Sequence, residues 1–239
     1  MYWERMFDST LFVSVDMESD GPTPYRNNLL SLGAVAYVTD TFVANSRWGL
    51  KCRGLRRLSS FFSENIRPQK GAMPDENTMK NFWFKDEHHM ALYQATQDRQ
   101  VPIEEGMARL VRWLEDIRSM ASYPAEVVPV ARPGAFDFRW FSDAFAMAGV
   151  ENPFGNTGVD MQSYLMGLRH GQHYRDAKAS TWKDSWANPR YPHTHIAVED
   201  AAAQGEVFRS MYEEGINRWP RSYLALRKLR KRRLLGYED

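Results

Sequence analysis

Hydrophobic and polar positions follow strand-like patterns in the first quarter of the chain. Short runs of β-branched, aromatic and aliphatic residues predict strands at Leu11–Ser19, Leu29–Thr39 and Asn45–Cys52, and their close spacing suits an antiparallel meander. A polar loop is expected from there to about Asp75. A fourth strand is predicted in "AEVVPVARPG", residues 125–134, which Pro133 and Gly134 end.

Helical periodicity dominates the rest of the chain. Apolar residues recur at three- and four-residue spacing, and strand and helix patterns alternate. Helices are predicted at roughly Asp75–Thr96, Ile103–Ser119, Phe136–Ala148 and Thr194–Gly215, with a strand end leading into a helix at Val159–Leu168, a long loop at Arg169–His193 and a basic helix at the end. This order predicts one mixed α/β domain over 1–239, with a basic C-terminal helix at 216–239 appended to it.

Composition adds little to that interpretation. A chain of 239 residues with 43% hydrophobic and 26% charged residues is ordinary for a soluble globular protein. The single cysteine, Cys52, excludes an intrachain disulfide and a cysteine-based zinc site. No secretory signal and no 18-residue apolar run is visible, so a cytoplasmic protein without a membrane segment is expected.

The charge distribution suggests a partner. The net charge is +1, yet eight basic and no acidic residues lie between Arg218 and Arg233, which leaves 23 basic and 30 acidic residues elsewhere. A basic helix on an acidic body favours a polyanionic partner. An ordinary solvated helix end, where cations are favourable, explains the same run equally well.

Five titratable residues stand out as candidate chemistry. Asp16 and Glu18 alternate along a strand, so their carboxylates point to one face. Asp137 follows the end of the fourth strand, where open α/β sheets commonly bind ligands. Asp200 lies on the stripe of a late helix that carries small alanines, which predicts that it faces the sheet, and His195 precedes it at the helix start.

Taken in order, these residues resemble the DEDD exonuclease superfamily in its histidine-containing DEDDh subtype, RNase T-like. The resemblance is carried by "FVSVDMESDGP", "LLSLGAVAY", "AFDFRWF" and "HTHIAVEDAAAQGEVF", and is greatest to a bacterial and phage branch. It implies an RNase H-like five-stranded mixed sheet, with three antiparallel strands and then parallel ones, flanked by helices. It also implies a 3′–5′ exonuclease that acts on single-stranded RNA or DNA.

The resemblance implies a role for each residue. Asp16 would bridge two divalent cations, Mg²⁺ or Mn²⁺, with Glu18 and Asp200 on the first and Asp137 on the second, partly through water. Such hard cations suit carboxylate oxygens. His195 would be the general base that deprotonates the attacking water.

Further residues are candidates for substrate binding. The family grips the terminal nucleotide with backbone around the D-x-E, which here means Met17 and Ser19. Trp83 and Phe138 are candidates for stacking on a base, although their apolar surroundings favour core packing. His193 either contacts phosphate or shapes its loop.

Three other residues receive no catalytic role. Asp160, a further acid near the site, is expected to make structural hydrogen bonds. His88 and His89 lack ligand spacing.

Two alternative functions stay open beside the exonuclease. One is a nucleic-acid-binding module with weak or no catalysis, and the other is a hydrolase of dinucleotides or short oligonucleotides. RNA versus DNA is undecided, and the resemblance leaves a homodimer open as well.

Overall fold

The computed structural model of the protein describes residues 10–43, 50–120, 126–171 and 173–234, with side chains described at 10–39, 54–120, 126–171 and 173–216. Within these ranges, five strands form one sheet in the order β3-β2-β1-β4-β5. They are β1 (Thr10–Ser19), β2 (Leu29–Val43), β3 (Leu50–Asn65), β4 (Glu126–Ala131) and β5 (Val159–Asp160).

Helices from the same ranges accompany the sheet. They are α1 (Glu76–Thr78), which continues into a π-helical turn at Met79–Trp83, α2 (Glu87–Ala95), α3 (Ile103–Ser119), α4 (Gly134–Ala148), α5 (Met161–Leu168) and α6 (Ala197–Leu234). Within the described part of the chain, no helix combines the length and the apolar character that crossing a membrane requires.

Strand β1 lies at the centre of the sheet. It pairs antiparallel with β2, where Asp16 is opposite Gly33, and parallel with β4. β2 pairs antiparallel with β3, and β4 pairs parallel with β5. This mixed five-stranded sheet confirms the predicted fold class.

Helices cover both faces of the sheet. Val13, Val15 and Met17 of β1 join a core with α3 and α4, whereas Phe12 packs toward α5 and α6. The alternation follows from the two-residue period of a strand. Because β1 is covered on both faces, its far end is held rigidly.

Helix α6 lies very close to the sheet at its first turn. A β-carbon added to Gly33 would lie 2.2 Å from backbone atoms of Ala197 and Val198. Ala201 and Ala202 continue this close contact as buried small residues. The predicted run of alanines therefore does place the start of α6 against β2.

Several predicted boundaries are wrong. The loop expected from Arg53 to Asp75 is in its first part the strand β3, which reaches Asn65. Leu58 and Phe62 of that strand are buried, whereas Ser59, Phe61 and Ser63 are exposed, because β3 is an edge strand with one wet face. Residues 45–49 of the strand predicted at Asn45–Cys52 lie outside the described residues, as does the side chain of Cys52.

Two helix predictions also need correction. The helix expected at Asp75–Thr96 is interrupted after Trp83, and Asp86 starts α2 afresh by accepting a hydrogen bond from the His89 backbone. The helix at Thr194–Gly215 does not end there, since α6 runs on to Leu234 as one element. The side chains of its basic run, from Arg218 onward, lie outside the described ones. The predicted Arg169–His193 loop contains three short 3₁₀ turns.

Candidate active site

Asp16 and Glu18 stand near the end of β1 and face the start of α6. Oxygen atoms of Asp16, Glu18 and Asp200 lie within 4.8 Å of one another. Glu18 and Asp200 are buried, whereas Asp16 keeps some exposed surface. Three carboxylates from two distant parts of the chain thus converge on one point.

Asp137 comes to the same place from the first turn of α4. Its side chain is 2% exposed and accepts a hydrogen bond from the backbone N–H of Met17, next to Asp16. The start of α4 is fixed by Asp160, whose carboxylate accepts from the N–H of Gly134 at 3.0 Å. Asp160 also caps α5 by accepting from the N–H and hydroxyl of Ser163. The expected structural role of Asp160 is therefore present.

Asp200 organises the turn that carries the histidines. Its carboxylate accepts from the backbone N–H groups of Thr194 at 2.7 Å and His195 at 3.0 Å. Nδ1 of His193 lies 2.6 Å from the same carboxylate. His193 thus shapes its loop, which is one of the two roles predicted for it. Its exposed ring borders the site.

The ring of His195 is half-buried in a cluster of aromatic rings. Its centroid lies 4.4 Å from that of His193, 4.9 Å from that of Phe82 and 5.6 Å from that of His89. Its backbone adopts a left-handed conformation, with φ of 61°. Burial, followed by the charge of His193, lowers the pKa of His195. The imidazole therefore stays neutral, and able to accept a proton, to lower pH than a free histidine.

The burial and closeness of the four acids disfavour the ionised form of their carboxyl groups. Burial, then the charges of Asp137, Glu18 and Asp200, raise the pKa of Asp16 well above its ordinary value. Burial and the neighbouring carboxylates likewise raise the pKa of Glu18, and burial raises the pKa of Asp137 to about 7. Such a cluster of hard oxygen donors fits divalent cations, which would offset the charge that the protein leaves uncompensated.

Trp83 and Phe138 pack in the core, as their apolar surroundings favour, and other aromatic residues face the site. Trp83 is fully buried and donates from its indole Nε1 to the carbonyl of Ser19 at 2.9 Å, so it supports the end of β1 and cannot stack on a base. Phe138 packs against the backbone at Gly134 and Gly158. The nearby Phe82 and Phe136 face the site instead.

Phe82 and Phe136 line a cavity of about 240 Å³ beside Glu18. The cavity is also lined by Met17 and Ser19, the two residues expected to grip a terminal nucleotide. Phe82 is one position from the predicted Trp83, and Phe136 is two positions from the predicted Phe138. An offset of one or two residues changes which face of a helix a side chain occupies.

The profile of one protein family covers most of the chain. The 3′–5′ exoribonuclease Rv2179c-like domain matches residues 12–212, a range that includes all four acids and His195. The chain belongs to this family. It is accordingly a 3′–5′ exonuclease, as the resemblance in the sequence implies.

Individual relatives agree with the family. The Rv2179c-like chain is 26% identical over 202 residues to the 3′–5′ DNA exonuclease Cap18 of Escherichia coli, an alignment that covers 84% of this chain and 91% of that protein. Its fold is similar to that of the nuclease domain of 3′hExo, a DEDDh family member bound to rAMP, with a TM-score of 0.60 at 9% identity, covering 86% of this chain and 93% of that one. A second structure, of a 3′-exonuclease recognising the 3′ end of a histone mRNA stem-loop, gives a TM-score of 0.57 at 9% identity over 87% and 84%.

A second cavity, of about 300 Å³, flanks the acids of this Rv2179c-like domain and shares no lining residue with the cavity beside Glu18. Asp16, Asp200 and His193 form its inner wall. Arg132 and Trp182 also line it, and neither stands out in the sequence. A lone arginine after a strand forms no pattern, so no signal in the chain singles it out.

Proposed function

We propose that the protein hydrolyses single-stranded nucleic acid from the 3′ end with two divalent cations, Mg²⁺ or Mn²⁺. The convergence of Asp16, Glu18 and Asp200, with raised pKa values at the first two, carries this proposal. Asp16 would contact both cations, Glu18 and Asp200 the first, and Asp137 the second, partly through water. A pair of such ions activates water and stabilises charge on the attacking and leaving oxygens of a phosphodiester.

His195 is the proposed general base. It stands at the edge of the acids and is oriented by its backbone hydrogen bond to Asp200 and by the rings of Phe82 and His89. The lowered pKa keeps the imidazole neutral at physiological pH, which a base requires. Replacing His195 with Asn should lower kcat by about 10²- to 10⁴-fold.

The cavity beside Glu18 is the proposed site of the terminal nucleoside. Met17 and Ser19 border it, and Phe82 and Phe136 offer apolar ring surfaces. Stacking of a base on an aromatic ring contributes about 1–3 kcal/mol and accepts any base. Such a site favours removal of nucleotides without regard to sequence.

The polymer is proposed to be RNA or DNA. The family description refers to an exoribonuclease, whereas the relative Cap18 carries the name of a DNA exonuclease. Side-by-side degradation of matched RNA and DNA strands of graded length, starting from the dinucleotide, distinguishes the two polymers. The same series tests the alternative of an enzyme for short oligonucleotides, which predicts that activity is lost as the strand lengthens.

One experiment tests the proposed function directly. A 5′-labelled single strand incubated with Mg²⁺ or Mn²⁺ should give a ladder that shortens from the 3′ end, and a 3′-phosphate should slow the first step. Internal products, or activity that survives a chelator, would contradict the proposal. A nucleic-acid-binding module without catalysis would retain the strand and leave it intact.

A further inference from the structure

The long segment 173–193 supplies much of the wall of the cavity of about 300 Å³, and this part is called its outer wall. Trp182, Asn188 and Tyr191 of that segment line it together with Asp16 and Asp200. Its volume is at the lower end of the range for small-molecule sites. The cavity therefore extends the site in a second direction from the carboxylates.

This outer wall is fixed to the body of the protein at several points. Asn188 donates to the buried Glu206 of α6 at 3.3 Å. Lys183 and the indole of Trp186 both reach Glu214, at 2.6 and 3.2 Å. The ring of Tyr191 lies under the guanidinium of Arg57, 4.6 Å from its centroid. These contacts therefore hold the segment 173–193 in a defined position against the body of the protein.

Arg132 is the cation of this cavity. Its guanidinium lies over the ring of Trp182, 5.1 Å from the centroid, and its Nε is buried with no hydrogen-bond partner among the described residues. It is near enough to Asp16 and Asp137 that its charge lowers the pKa of both. A guanidinium that stacks on an aromatic ring can still donate from its terminal N–H groups, which lie around its rim, to a phosphate.

The two cavities differ in charge in a way that suggests the path of the strand. The described residues that line the cavity beside Glu18 include no cation, which suits a terminal nucleoside ending in a hydroxyl. On the other side of the scissile bond, every further nucleotide brings another phosphate. The cavity with Arg132 is the one whose chemistry matches that side.

We propose, on the basis of the function proposed above, that the Arg132 cavity binds the nucleotide on the 5′ side of the scissile bond. Arg132 donates hydrogen bonds to the phosphate immediately upstream of the one that is cleaved, and Trp182 holds the guanidinium in place. Arg132 is thus a binding residue for the second phosphate from the 3′ end.

A single neutral linkage tests this proposal. In a 5′-labelled strand, the linkage immediately 5′ of the terminal phosphodiester is made a methylphosphonate, and removal of the terminal nucleotide is followed in a single turnover. The wild type should lose at least about tenfold in rate, since hydrogen bonds to charged groups contribute about 1.5–3 kcal/mol. In Arg132→Gln, the unmodified and the methylphosphonate strands should react at similar rates, because the partner of the charge is already gone.

Matched controls separate this role from a general electrostatic one. Arg190 is an exposed arginine of the segment 173–193, and the Arg190→Gln variant should keep the wild-type preference for the unmodified strand. A methylphosphonate placed several linkages further upstream should leave the rate of the first cleavage unchanged. Arg132→Lys should restore part of the preference.

Either of two results would overturn the inference. One is a wild type that is indifferent to the neutral linkage. The other is an Arg132→Gln variant that slows both strands while keeping their ratio, which would make Arg132 a counter-charge to the acids. If the wild type shortens the unmodified strand in either case, the proposed function stands without this inference. If it does not, the proposed function has failed first.

Discussion

Asp16 interacts electrostatically with each of the other three acids of the site. Replacing Asp16 with Asn should lower exonuclease activity by at least about 10³-fold, which corresponds to about 4 kcal/mol of transition-state stabilisation that a shared metal ligand would supply. The same change should raise the melting temperature of the metal-free protein at pH 7, since it removes one of several mutually repelling carboxylates. Activity assays and thermal denaturation in a chelator measure the two effects.

Asp116→Asn provides the matched control for Asp16. Asp116 is exposed on α3, remote from the acids in the fold, so its loss of charge should change neither quantity. An Asp16→Asn variant with full activity would show that the proposed metal site is wrong.

Asp137 links the stability of the metal-free protein to pH. Its pKa is raised to about 7 in the folded state, compared with about 4 in an unfolded chain, so the folded state binds the proton more tightly between these values. Stability should therefore be greatest at the low end of this window and fall as pH rises through about 7. Melting temperatures measured in a chelator across this window should show the fall, and Mn²⁺ should reverse it.

Asp137→Asn isolates this effect from other titrating groups. Its melting temperature should decline less over the same range, because the group that loses its proton is absent. An identical decline in both proteins would assign the pH dependence to other residues.

At the residue scale, the sequence predicts the chemistry of the site and leaves its immediate surroundings open. The acids and His195 have fixed types at fixed places in strands and helix starts, and the structure brings all five together. The sequence offers Trp83 as a stacking candidate and does not single out Phe82, because the π-helical turn at Met79–Trp83 sets which ring faces the site. Arg132 gives no signal, because its partner Trp182 is 50 residues away in the chain.

The contact between β2 and α6 sets the position of Asp200. Replacing Gly33 with Ala would bring a β-carbon against backbone atoms of Ala197 and Val198, which have no rotamer by which to move aside. We expect a decrease of about 1–3 kcal/mol in the free energy of unfolding, as for overpacking elsewhere. Activity should fall more steeply than stability, because the start of α6 carries Asp200 and His195.

Gly167→Ala is the control for this prediction. Gly167 lies in α5 with nothing within 4 Å of an added β-carbon, so alanine there should be neutral or stabilise the helix by up to about 1 kcal/mol. Urea denaturation and kcat of both variants provide the comparison. A Gly33→Ala protein with normal activity would mean that α6 can shift without moving the site.

At the element scale, strongly patterned segments are predictable and weakly patterned ones are not. The regular apolar stripe of α3 predicts its observed bounds. The second half of β3 has the composition of a loop, since an edge strand with one exposed face is mostly polar. The continuity of α6 across Gly215 is hidden because the basic run after it resembles a new element.

At the scale of the whole molecule, we propose that residues 1–239 act as one exonuclease domain with a basic helical extension at 216–239. Six lysines and arginines lie in α6 between Arg221 and Leu234. Replacing these six with Gln, a good helix former, should weaken binding of a single strand. The slope of the logarithm of the binding constant against the logarithm of the salt concentration should become shallower by about 0.7 for each phosphate that is no longer neutralised.

Binding of a labelled strand at several salt concentrations measures this effect. The six-fold Gln variant should retain cleavage of dinucleotides, which are too short to reach from the acids to the far end of a 38-residue helix. Unchanged affinity and slope would leave the extension as an ordinary solvated helix.

Asp16 comes from the first strand and Asp200 from the last helix of the described chain, and the two are separated by 184 positions in the sequence. An ion held between them would act as a cross-link that closes most of the chain into a loop. Loading the metal should then protect the start of α6 from proteases and slow its amide hydrogen exchange. Depletion of the metal would therefore make the enzyme more susceptible to proteolysis, in addition to abolishing its activity.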